Sequence, residues 1–185
     1  MTMHPAHHRF RAHRGYTLIE LIVAVGLFAL VMTLAAGAYL MMISINRQAQ
    51  AQATGINNLS FALESMTRDI RTGTQYSCGS VSGQGDCSQG SSFTFQDESG
   101  DWITYSLSGG SIIRRDSTTG QTSPLTDPSA SVSALTFTVV GTARGPANTD
   151  QARTTMVVSG SVSAGPGKTL PFTVETGATM RGTDL

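Results

Sequence analysis

Residues 14–45 read RGYTLIELIVAVGLFALVMTLAAGAYLMMISI, and their reading decides the fold. A basic leader, Met1 to Arg14, precedes them. A Gly15-Tyr16 junction follows, and then a long apolar run with one carboxylate, Glu20, near its start. No charged residue occurs from Leu21 to Asn46. At the helical rise that run is about 39 Å long, and a bilayer core needs about 20 apolar residues. No proline interrupts it, so it can form one continuous helix. A cleaved secretory signal has a shorter apolar core followed by small residues, so this run is too long for one. An ordinary signal anchor remains an alternative on these grounds. Glu20 is the residue such an anchor does not need. A charge deep in a bilayer costs roughly 2.5–3.5 kcal/mol on insertion scales, unless it sits at headgroup depth near the start of the run.

Gly15-Tyr16-Thr17-Leu18-Ile19-Glu20, followed by a long apolar helix, resembles the N-terminal signature of type IV prepilins and type II secretion pseudopilins. That signature is a glycine, usually a phenylalanine, then Thr-Leu-x-Glu; here tyrosine replaces the phenylalanine. The resemblance implies that a prepilin peptidase cuts after Gly15 on the cytoplasmic face and that the new amino group on Tyr16 is methylated. It also implies that Glu20 neutralises the Tyr16 amine of a neighbouring subunit during assembly. The implied partners are other pilin or pseudopilin subunits, the prepilin peptidase, an inner-membrane assembly platform and membrane lipid. The resemblance is tight over about the first 40 residues and looser beyond. The segments WITYSLSGGSIIRR, SPLTDPSASVSALTFTV and PFTVETGATMR look similar to minor subunits of the PilW-like or J-type group. Retention of Glu20 argues against the K-type tip subunit, whose pattern lacks it.

Charge gives an orientation. The chain has 12 Lys+Arg and 12 Asp+Glu. The leader holds Arg9, Arg11 and Arg14 and no acid, so its removal leaves a net charge of −3. Basic flanks stay cytoplasmic, which places the N-terminus inside and the C-terminus outside. The single-pass inner-membrane form would then pass into a periplasmic or cell-surface filament. The outer part carries no basic run, and nothing in it suggests nucleic-acid binding.

Four segments are expected. They are a leader over residues 1–15, a membrane and assembly helix over 16–45, an amphipathic continuation over 46–73, and an extracytoplasmic β-rich domain over 74–185. In the third, Ile56, Leu59, Leu63, Met66 and Ile70 recur at spacings of three and four, so they share one helix face. Arg68, Asp69 and Arg71 fall on or near the opposite side. Gly55 is a weak point, Gly37 leaves a softer or locally melted helix open as an alternative, and Gly73 sits where a helix C-cap is expected.

From Cys78 the texture changes to Gly, Ser and Thr with short alternating runs. Strands are expected at Ser92–Phe95, Trp102–Leu107, Ile112–Arg115, Val132–Val140, Thr154–Val162 and Leu170–Val174. Gly109-Gly110 makes a hairpin of the second and third. Pro124–Pro128 and Gly141–Asp150 read as loops. A helix followed by an antiparallel sheet is an α+β arrangement, and it fits the pilin architecture, in which the second half of a long helix packs on a C-terminal sheet.

Cys78 and Cys87 are the only cysteines. In an extracytoplasmic domain an even pair suggests a disulfide; free thiols and a metal pair are the alternatives, although a lone pair without CxxC spacing is poor evidence for metal. All four histidines, His4, His7, His8 and His13, lie in the leader. The mature chain would therefore have no Ser-His or Cys-His nucleophile pair and no histidine metal site. No Gly-x-Ser-x-Gly occurs in a strand-turn-helix context. The sequence points to a structural subunit, not an enzyme, and to no cofactor. Asp97, Glu98 and Asp101 could be read as a calcium cluster, but Asp, Ser and Gly are ordinary turn formers and the EF-hand pattern is absent. Arg114 and Arg115 are adjacent on a strand, so one should face each side. The competing reading from a different class is a single-pass anchored binding module that keeps its leader and does not depend on Glu20.

Overall fold

The computed structural model describes residues 15–79, 85–143, 150–165 and 167–181. Residues 1–14 of the leader and most of the loop expected over Gly141–Asp150 lie outside the described residues. One helix, α1 (Leu18–Thr72), is followed by nine strands. They are β1 (Thr74–Cys78), β2 (Cys87–Gly90), β3 (Ser92–Gln96), β4 (Trp102–Ser108), β5 (Ser111–Asp116), β6 (Thr122–Pro124), β7 (Ala130–Val140), β8 (Arg153–Ser163) and β9 (Thr169–Thr179). The chain divides into two compact units at Ile45/Asn46.

In the first unit the helix is apolar on every side. Leu21, Ile22, Val25, Phe28, Leu30, Val31 and Leu34 are all exposed. A helix with no polar face needs an apolar environment around its whole circumference. It is long and apolar enough to cross a membrane. The helix runs unbroken through Gly37, because the i→i−4 ladder needs no side chain there.

The second unit is α+β, a pilin-like arrangement of one helix and antiparallel sheet. The strands form two sheets rather than one, in the orders β1-β3-β4-β5-β6 and β2-β7-β8-β9. The hairpin β4–β5 turns at Gly109 and Gly110, both with positive φ (58° and 79°). That is the left-handed backbone a two-residue hairpin turn demands. β8 pairs with β9 without a break over eleven residue pairs, from Arg153↔Thr179 to Ser163↔Thr169.

Alternation fills the core. Phe93 and Phe95 of β3 stand opposite Tyr105 and Ile103 of β4. Leu135, Phe137 and Val139 of β7 stand opposite Val158, Met156 and Thr154 of β8. Leu59, Leu63, Met66 and Ile70 of α1 join one cluster with side chains from both sheets. Two expectations for this helix face need correction. Ile56 is 51% exposed, because the covered line begins at Gly55 and runs through Leu59, Ala62 and Met66. Gly55 is not a weak point but a contact: a Cβ there would lie 2.9 Å from the Val162 side chain, so glycine lets the helix approach β8.

Gly73 does follow the last helical residue, and its N–H bonds back to the Asp69 and Ile70 carbonyls (3.1 Å each). Its φ is not positive, however, and any side chain would run into the Phe95 ring. Glycine is there to admit that ring. The left-handed residue of this turn is Gln75 (φ 57°), whose side chain donates to Gln96 Oε1 at 2.7 Å.

One polar atom is left over. Thr154 is fully buried and its Oγ1 has no hydrogen-bond partner among the described residues. A buried, unsatisfied hydroxyl costs about 1–3 kcal/mol, and replacing it with an apolar group of the same shape removes that cost. Thr154→Val is therefore expected to stabilise the domain by about 1 kcal/mol, seen as a higher urea midpoint at unchanged slope.

Candidate functional site: the helix start and its supports

Gly15, Tyr16 and Thr17 precede the helix and are exposed. Tyr16 is 85% exposed, and a Cβ added at Gly15 would meet nothing within 4 Å. The helix begins at Leu18, two residues later than the expected start at Tyr16, because Thr17 caps it. The Thr17 Oγ1 accepts from the Glu20 N–H (3.3 Å), and the Thr17 carbonyl accepts from the Leu21 N–H (3.2 Å). That is the N-cap arrangement, in which a hydroxyl occupies one of the otherwise unpaired first amides.

Glu20 sits in the first turn, where the partial positive charge of the helix N-terminus favours an acid. Its carboxylate has no hydrogen bond or ion pair among the described residues. Gly15 and Tyr16 thus lie just before the exposed first turn that carries Glu20, whose carboxylate has no partner among the described residues.

Cys78 and Cys87 form a disulfide, with Cα atoms 6.1 Å apart. It joins β1 of one sheet to β2 of the other, so it closes the edge of the two-sheet domain. Closing a loop of this size contributes roughly 3 kcal/mol in the chain-entropy model. Beside it, Asp86 Oδ1 accepts from both the N–H (2.9 Å) and the hydroxyl (2.7 Å) of Thr142. The Thr142 amide and then its hydroxyl hold the Asp86 pKa below its ordinary value. A depressed carboxylate contributes stability at neutral pH and loses it as pH falls through the folded value.

The acidic turn builds itself. Asp97 Oδ1 accepts from the N–H groups of Ser99 and Asp101 (2.9 Å each), and the Gln96 side chain donates to the Gly100 carbonyl (2.7 Å). Among the described residues no group of three or more His, Cys, Asp or Glu side chains could hold a metal ion.

One polar cluster was not legible in the sequence. Asp69 is half-buried rather than on the far side of the helix. The Tyr105 hydroxyl donates to its Oδ2 (2.7 Å), and Arg114 Nε lies 3.7 Å from the same oxygen. Burial, and then the negative Asp69, raise the Tyr105 pKa above that of a free phenol. The available signal was angular: Asp69 flanks the Met66–Ile70 stripe and so can reach a strand beside it. Arg114 turns toward this cluster while Arg115 is exposed. The cluster ties the helix to β4 and β5.

Residues 10–36 match the family model described as the prokaryotic N-terminal methylation motif. No curated protein and no solved structure matches the chain. The match covers the junction, the cap, Glu20 and about half of the apolar run, so the start of the chain carries a prepilin-type N-terminal methylation motif.

Proposed function

We propose that this protein is a minor structural subunit of a type IV pilus or type II secretion pseudopilus. The observation that carries the reading is the helix start: an exposed Gly15-Tyr16 bond lies just outside a capped helix, and that helix bears one unpartnered acid in an otherwise apolar turn. The basic leader keeps residues 1–15 in the cytoplasm, and the β-rich domain lies outside. Prepilin peptidase removes the leader, and the apolar helix then leaves the bilayer to pack among the helices of a filament. Glu20 pairs with the Tyr16 amine of a neighbouring subunit, which supplies the partner its carboxylate lacks among the described residues. The segments similar to PilW-like and J-type subunits support a minor role. Gene neighbourhood would separate the two machines.

The test is the intact mass and N-terminal sequence of the protein from membranes, with and without a prepilin peptidase. The expected product lacks Met1–Gly15 and begins at a methylated Tyr16. An intact leader in both samples would leave an anchored binding module, and the filament reading would be abandoned.

A further inference from the structure

We infer that Thr17 is a positioning residue for leader removal: its hydroxyl stops the helix where the Gly15–Tyr16 bond is still outside it. The inference rests on the reading of that bond as the processing junction.

An α-helix leaves its first N–H groups without intrahelical partners. In apolar surroundings, where water does not serve them, each is costly. A helix start there has two remedies: to extend backward until it reaches water, or to supply a side-chain acceptor. Here the acceptor is present. Thr17 Oγ1 takes the Glu20 amide, and the Thr17 carbonyl opens the main-chain ladder by accepting from Leu21. Leu18, Ile19 and Glu20 are then the first three helical positions. A threonine hydroxyl competes with the backbone for its own neighbouring amides, which is why this residue type favours caps over helix interiors.

The consequence falls one residue upstream. With Thr17 as cap, Gly15 and Tyr16 are not helical, and the surroundings of Gly15 are open. Hydrolysis breaks the Gly15–Tyr16 amide; water adds its hydroxyl to the Gly15 carbonyl carbon, and a proton goes to the Tyr16 nitrogen. Attack needs that carbonyl free of the helical ladder and approachable from its face. If the helix ran back through Tyr16, the Gly15 carbonyl would accept from Ile19 and its face would be screened by the first turn. The same cap holds Glu20 at the third helical position, so one hydroxyl sets the place of both the scissile bond and the acid.

The experiment uses the full chain in membrane vesicles with a prepilin peptidase, comparing initial cleavage rates of the parent with Thr17→Ala, Thr17→Val, Thr17→Ser and Thr17→Asn. Loss of a cap is expected to slow cleavage about five-fold or more in the alanine and valine variants, while serine and asparagine, which cap as well as threonine, stay within about two-fold. In the alanine variant, carbon chemical shifts of residues 15–17 in detergent should also move toward helical values. Equal slowing in all four variants would indicate a contact specific to threonine and overturn the capping role. Parental rates in alanine and valine would overturn it too, leaving the processing reading intact. An uncleaved parent would overturn both.

Discussion

Glu20→Ala is expected to leave membrane insertion and leader removal intact and to reduce incorporation into filaments by about a hundred-fold or more. Insertion should not suffer, because the substitution removes the one charge from the apolar run, and a mid-bilayer charge costs roughly 2.5–3.5 kcal/mol. Cleavage should not suffer either. The cap at Thr17 uses the Glu20 backbone amide and not its carboxylate, so the helix still starts at Leu18. What is lost is the proposed pairing with an incoming Tyr16 amine. Taking one partner from an ion pair out of water strands the other, at a cost of about 3–5 kcal/mol, and 1.4 kcal/mol is a factor of about ten. The measurement is the ratio of variant to parent in sheared filaments against the ratio in membranes. Glu20→Gln distinguishes charge from size: it keeps the shape and should lose nearly as much. Equal incorporation of parent and alanine variant would remove the assembly role from Glu20 while leaving the processing reading untouched.

The site was legible in the sequence because it is local. The Gly15-Tyr16 pair, Thr17, Glu20 and the apolar run lie within one stretch of chain, and the Thr17 contacts reach residues three and four positions on. The capping role of Thr17 is not legible in the motif alone and shows only in the Glu20 amide on its hydroxyl. The strands with apolar alternation were equally legible: β3, β4, β5, β7 and β8 fall at the expected places within a few residues. The rest needed partners from elsewhere in the chain. β1 and β2 read as TQYSC and CSQG, with almost no strand pattern of their own. They exist because β3 and β7 offer them edges and a disulfide holds them. The loop expected over Pro124–Pro128 begins one residue too early, because Pro124 closes β6, an edge strand, where proline is tolerated. β9 runs on past Val174 to Thr179 because β8 pairs with it throughout. Division into two sheets was not legible either, since alternation shows which residues face inward but not across which gap they meet.

That gap is where the core is most sensitive, and Phe93→Ala is expected to cost about 3–5 kcal/mol. Phe93 is fully buried. Its ring stacks on Phe95 of its own strand (centroids 5.6 Å apart) and on Phe137 of the other sheet (5.5 Å), and meets Tyr76 edge-on (5.3 Å). It also pairs in register with Cys78, so it lies beneath the disulfide. Truncation removes the common neighbour of three rings belonging to β1, β3 and β7, and none of them can close the space without leaving its own strand register. Tyr76 is further pinned by donating its hydroxyl to the Ile70 carbonyl of α1. A domain of this kind holds about 5–15 kcal/mol in total, so the loss takes a large share of it. Phe93→Leu keeps most of the volume and should cost far less, about 1–1.5 kcal/mol. Urea unfolding of the full chain in detergent, followed through Trp102 fluorescence, measures both. A loss below about 1 kcal/mol for the alanine variant would mean that the sheets are held together by the disulfide rather than by this aromatic stack. In that case reduction of Cys78–Cys87 should unfold the domain at urea concentrations where Phe93→Ala does not.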